Sequence, residues 1–164
     1  MPYILVTDLL TRFGAEELAQ LADRDTPRLV TDELLSAAAA GTDMTGWSDA
    51  DVDAVSKAVA SIEQAIEDAQ SAIDGYLSGR YGTPIATPPA VVKRLACDIA
   101  RYYLYDDHAT ETVQKRYDAA IAFFRDVSAG KVTLGAETQA TQPAGGIVEI
   151  VTSDRVFSRS GRGL

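Results

Sequence analysis

His108 and Cys97 are the only imidazole and the only thiol in this 164-residue chain. A cysteine nucleophile needs a base within hydrogen-bond reach, and His108 is the one available. The two lie 11 positions apart on one predicted helix, about 16 Å along its axis at 1.5 Å per residue, too far for direct contact. Cys97 sits one position from an apolar stripe and reads as a buried structural thiol. His108, beside Asp106 and Asp107 near a helix end, reads as a favourable charge at a helix C-terminus. With no second histidine or cysteine, a zinc-type ligand set cannot be assembled.

The run ADRDTPRLVTDE places Asp23, Asp25 and Asp32 at spacings that resemble a calcium loop. An EF-hand needs glycine at its sixth position and glutamate at its twelfth. Counted from Asp23, those positions hold Arg28 and Leu34. Capping and turn formation explain these aspartates better. The acid pairs Glu16-Glu17 and Asp106-Asp107 have no pocket that the sequence implies. No P-loop, dinucleotide fingerprint, nucleophile elbow or zinc signature occurs. Tyr102, Tyr103 and Tyr105 follow Arg101 closely, and consecutive tyrosines cannot all face one core. Two of them read as core residues and at least one as a surface or interface residue, since tyrosine and arginine are enriched in interfaces. Tyr103 and Tyr105 are the interface candidates.

The elements that must position these residues are helical. Thr7 or Asp8 can cap a first short helix whose face is Leu9, Leu10 and Phe13, and Gly14 stops it. Glu16 to Leu21 forms another turn or two, DRDTPRL is a loop, and Thr31 caps a further short helix. AAAAGTDMTGWSD reads as a flexible connection. Ser48 opens the longest element, a helix over about 51–80. Val52, Val55, Val59, Ile62, Ile66, Ala69, Ile73 and Tyr76 alternate at spacings of three and four, an unbroken heptad seam. The seam needs a partner, which could be another helix of the chain or a second subunit. A second long helix, about 89–107, carries Val92, Leu95, Ile99 and Tyr102 or Tyr103. A third, about 110–129, is capped by Thr110, carries Val113, Tyr117, Ala120 or Ile121, Phe124 and Val127, and ends at Gly130. Short connections between amphipathic helices imply antiparallel neighbours. The predicted fold is therefore mainly α, an antiparallel helical bundle with an extended, partly β-prone C-terminal tail. Residues 1–135 form the helical domain, and residues 136–164 form a flexible linker and tail.

Bulk properties narrow the function classes. The formal net charge is −9 and the pI near 4.5, so the chain is repelled by phosphate and nonspecific DNA binding is disfavoured. From Asp43 to Tyr76 eight acids face one base, Lys57, which reads as a solvated acidic helix face. No apolar run approaches the roughly 18 residues of a membrane span. The N-terminal MPYILVTDLL lacks a basic n-region, so no secretory signal is expected. The single cysteine excludes an intrachain disulfide and suits a reducing compartment. The tail RVFSRSGRGL is basic with one aromatic, follows the β-prone IVEIVT, and is of the kind that orders on a partner.

Four segments in order carry a resemblance: YILVTDLLTRFGAEELAQLADRD, AIDGYLSGRYGTPIATPPAVVKRLACDIARYYLYDD, AGKVTLG and RVFSRSGRGL. Together they resemble the Mu-like bacteriophage and prophage family of small head proteins, which is similar in helical layout to head–tail connector (adaptor or head-completion) proteins. The chain departs from the family pattern between Thr26 and Ala60, where DTPRLV, the alanine run and the Gly/Trp connection stand. The resemblance implies a structural, non-enzymatic virion protein with no cofactor, no catalytic residue and no metal site. It implies a ring of about twelve copies docked under the portal protein, extending the DNA channel and meeting a tail-side completion or terminator protein. Genomic double-stranded DNA would pass without sequence-specific binding, and no membrane is involved. The implied location is the head–tail interface of the virion, and the host cytoplasm during assembly. Within the tail, Phe157 beside Val156 is the expected apolar anchor, and Arg155, Arg159 and Arg162 the expected charge partners. The alternatives are a tail-completion or joining factor, or a DNA-handling small terminase-type subunit, which would need a basic helix-turn-helix.

Overall fold

The computed structural model describes residues 2–135. Six helices follow one another: α1 (Val6–Phe13), α2 (Ala15–Ala22), α3 (Asp32–Ala39), α4 (Asp49–Leu77), α5 (Ala90–Tyr105) and α6 (Glu111–Ser128), with a single 3-10 turn (Asp106–His108) between the last two. No strand occurs among the described residues. The mainly α bundle and its three long helices are as expected, with ends shifted by one to three residues.

Local chemistry sets most of the boundaries. The Ser48 hydroxyl accepts from the Asp51 amide, and the Asp51 carboxylate accepts from the Ser48 amide and hydroxyl, closing a capping box. Thr31 and Thr110 accept from the amides of Leu34 and Val113. The cap of α1 differs from expectation. Leu5 occupies the N-cap position, and Asp8 reaches back to take its amide at 2.8 Å. An acid three residues inside the helix satisfies an orphan donor even where the cap residue has no acceptor. The alanine run is also corrected. Ala37 to Ala39 belong to α3, because alanine has the highest intrinsic helix propensity. The helix ends at Ala39, and two residues later Gly41 takes φ +65° and the Thr42 amide bonds back to the Ala37 carbonyl.

The heptad seam is filled from within the chain. α4 packs against all five other α-helices. Val55, Ile62, Ile66, Ala69 and Ile73 of the seam are buried, joined by Ala54, Ala58, Ala65 and Leu77. The small alanines widen the seam into a broad core face that admits several helices. Each fully buried leucine or isoleucine contributes roughly 1.5–3 kcal/mol. Val52, at the end of the seam, lies outside the core.

α5 is more deeply set than its stripe predicts. It touches α1, α2, α4 and α6. Every residue from Leu95 to Ala100 is buried, Cys97 and Asp98 included. Beyond Ala100 the next buried position is Leu104, not Tyr102 or Tyr103. The ends of α4 and α6 meet: the Tyr81 hydroxyl accepts from the Leu134 amide at 3.0 Å. Gly130, at φ +79°, leaves the space that the Arg80 guanidinium occupies. α5 packs against both of these helices, which also pack against each other. Among the described residues, no helix is long and apolar enough to cross a membrane.

Candidate functional site

Long-range side-chain hydrogen bonds and ion pairs join α1 and α2 to α5. Glu17 on α2 accepts at one oxygen from Arg101 Nε at 2.6 Å and from the Tyr105 hydroxyl at 3.0 Å. The Arg101 guanidinium also lies 4.5 Å from the centroid of the Phe13 ring, within the range of a cation–π attraction. One turn away, Arg12 sets a single nitrogen 3.1 and 3.2 Å from the two carboxylate oxygens of Asp98. Arg24 donates to Asp106 and to the Leu104 carbonyl. It thereby holds the end of α5, where Asp106 turns the chain at φ +52°.

Beside this network an open cleft of about 540 Å³ is lined by Glu17, Gln20, Leu21, Arg24, Arg28, Tyr105, Asp106 and His108. One acid of each pair, Glu17 and Asp106, thus lines a concave surface, brought there by elements far apart in sequence. Glu17 is neutralised by Arg101. Burial pushes the Cys97 thiol up to about 11, so it stays protonated and a poor nucleophile at neutral pH. His108 is exposed on the 3-10 turn. Among the described residues, no group of three or more His, Cys, Asp or Glu side chains could hold a metal ion.

The three aspartates of the calcium-like run serve separate tasks. Asp23 is buried and accepts from the amides of Asp25, Leu29 and Val30 at 2.8 to 3.1 Å. Burial works to raise its carboxyl, but the backbone donors outweigh that and hold it below the usual range. Asp25 faces Lys57, and Asp32 lies in the first turn of α3.

All three clustered tyrosines are half-buried and engaged. Tyr102 stacks on Tyr117 at 4.0 Å between centroids. Tyr103 lies tilted against both, and burial foremost pushes it up to about 12. Tyr105 joins Glu17. Each keeps part of its surface exposed. The remaining interface candidates, Arg155, Val156, Phe157, Arg159 and Arg162, lie outside the described residues.

Sequence reasoning missed Asp98, Tyr3 and Glu17. A signal existed for Asp98, a lone charge inside the apolar run LACDIA. None existed for Tyr3, which is buried and bridges remote elements: its hydroxyl bonds Asp74 of α4 and accepts from the Ile85 amide.

These features describe a helical scaffold in which the charges between α1, α2 and α5 are paired with one another beside an open cleft. The family described as Bacteriophage Mu, Gp36 matches residues 3–151, and the chain belongs to that family. It is 43% identical over 76 residues to "Mu-like prophage FluMu protein gp36" of Haemophilus influenzae, covering 46% of this chain and 54% of that protein. It is 35% identical over 104 residues to "Gene product J" of Escherichia phage Mu, covering 62% of this chain and 74% of that protein. The match thus spans about half the length of the first relative and about three quarters of the second. The family resemblance read from the four motifs is borne out.

Proposed function

We propose that this chain is a structural head–tail connector, which assembles as a ring beneath the portal, extends the DNA channel and joins the capsid to the tail. The observation that carries this reading is membership of a phage family by a helical bundle whose buried charges are paired internally. Such a subunit is built for rigidity. Its 29-residue α4 is about 43 Å long at 1.5 Å per residue, braced along its length by the other helices.

The exposed acids of α4, among them Asp49, Asp53, Glu63, Glu67 and Asp68, repel phosphate, which suits a protein near moving DNA that must not retain it. The residues 1–135 act as the connector domain and the tail beyond them as its docking arm. Tyr103 and Tyr105 belong to the surface that neighbours approach. The partners are the portal protein, further copies of the chain and a tail-side completion protein. The working location is the virion neck, reached from the host cytoplasm during assembly.

The test is to incubate the purified chain with its portal and image the product. A closed ring stacked on the portal supports the reading. Sequence-specific DNA retention with no portal binding overturns it in favour of a terminase-type role.

A further inference from the structure

Leu5 is the most exposed large apolar side chain among the described residues, at 58%. It is part of a groove of about 270 Å³ between the N-terminal segment and the middle of α4, lined by Pro2, Ile4, Leu5, Val6, Glu63, Ile66 and Glu67. The floor is apolar. The rim carries two carboxylates one helical turn apart, and neither has a hydrogen bond or ion pair among the described residues. Other charges nearby are matched: Asp8 takes the Leu5 amide, and Lys57 pairs with Asp53. A groove with an apolar floor and two unmatched acids fits a short segment that brings an aromatic side chain flanked by cations.

The chain supplies one. Residues 155–159 read Arg-Val-Phe-Ser-Arg. We infer that this groove is the docking site of the chain's own C-terminal segment, with Phe157 over Leu5 and Ile66 and with Arg155 and Arg159 facing Glu63 and Glu67. The reach is ample. The described chain ends at Gly135, next to Leu134, whose amide is tied to Tyr81 just beyond α4. Ile66 lies about 17 Å back along that helix from Leu77 at 1.5 Å per residue. The roughly 20 residues between Leu134 and Arg155 span up to about 65 Å when extended. Tethering gives the segment a high effective concentration over its own groove. In the unassembled subunit the contact covers Leu5, pairs two free acids and holds the arm against the body. The inference does not depend on the portal reading, because it concerns the isolated chain.

Disulfide trapping in the full chain tests it. Pro2→Cys with Ser158→Cys places one thiol at the groove and one beside Phe157, leaving Leu5 and Phe157 intact. Cys97 is buried and its thiol held protonated, so it competes poorly. The control pairs Ser158→Cys with Ala122→Cys, an exposed site on α6. Random sampling gives that site no disadvantage, since it is about 9 Å along the axis from the end of α6. The expected result is closure of the groove pair about tenfold faster than the control, with the product running as a monomer. Adding Phe157→Ser, or Glu63→Lys with Glu67→Lys, should abolish the difference. Equal rates for the two pairs, indifference to those substitutions, or a covalent dimer as the main product would each overturn the inference. The last outcome would assign the groove to the tail of a second copy.

Discussion

Arg12 of α1 places one guanidinium nitrogen against both carboxylate oxygens of Asp98, 86 positions away on α5. Asp98 is almost fully enclosed, while Arg12 keeps about a third of its surface. The pair is therefore an anchor between α1 and α5. Removing one partner of a buried pair leaves the other charge uncompensated, which is costlier than the pair itself is favourable. Arg12→Ala is expected to lower stability by about 2–3 kcal/mol, and Arg12→Lys to recover only a fraction. Urea unfolding midpoints at neutral pH check this, with retained helical circular dichroism before the transition.

Tyr3→Phe removes a hydroxyl that serves two partners and leaves the Ile85 amide buried without an acceptor. The expected loss is about 1–3 kcal/mol, with amide exchange rising first in the 82–89 loop. Unchanged exchange there would show that the loop is held by Ile85 packing alone.

Alkaline pH should destabilise the chain by a definable route. Tyr3 is raised by burial first and then by its hydrogen bond to Asp74. Cys97 is raised to about 11 and Tyr103 to about 12, both chiefly by burial. The folded state thus binds these protons more tightly than the unfolded chain. Their contribution is complete below the ordinary values of 9.0 and 10.0. It disappears as pH rises through the folded values. Stability should fall progressively above about pH 9. Cys97→Ala should flatten the earliest part of that decline and Tyr3→Phe a later part, as read by urea midpoints across pH 7–11.

Asp23 behaves oppositely. Its lowered carboxyl contributes stability above the ordinary value of 3.8, lost as pH falls through the folded value. Asp23→Ala frees three amides at once, and a loss of about 2 kcal/mol is expected. Hydrogen exchange at Leu29 and Val30 should accelerate while α5 and α6 stay protected. Added calcium should leave the melting temperature of the parent unchanged, since the carboxylate is occupied by backbone donors.

Truncation after Gly145 removes the basic segment and leaves all the described helices. The body should keep its helical circular dichroism and thermal midpoint within a few degrees, while association with the portal falls. Undiminished association would remove the tail from the docking role.

The sequence by itself determined the local structure. Spacings of three and four drew α4, α5 and α6, Ser48, Thr110 and Gly130 marked ends of α4 and α6, and Gly14 and Thr31 marked the end of α1 and the start of α3. Those signals are legible because a helix pairs residues three and four apart and caps its ends with neighbours. They fail where the signal is compositional, as in the alanine run that joins α3, or where a non-polar N-cap is served by an acid from inside the helix. The family too was legible, from four motifs in order.

Only the tertiary structure decided what faces what. Nothing local states that the seam of α4 is filled by the chain's own helices, that α5 is buried on nearly every side from Leu95 to Ala100, or that Asp98 is buried against Arg12. Glu17 meets Arg101 and Tyr105 across more than 80 positions, and Tyr3 meets Asp74 and Ile85 across comparable gaps. Such pairings exist because helix packing brings distant faces within hydrogen-bond reach. The free energy of burial that drives packing depends on all the faces together, and no single stretch of the sequence contains it.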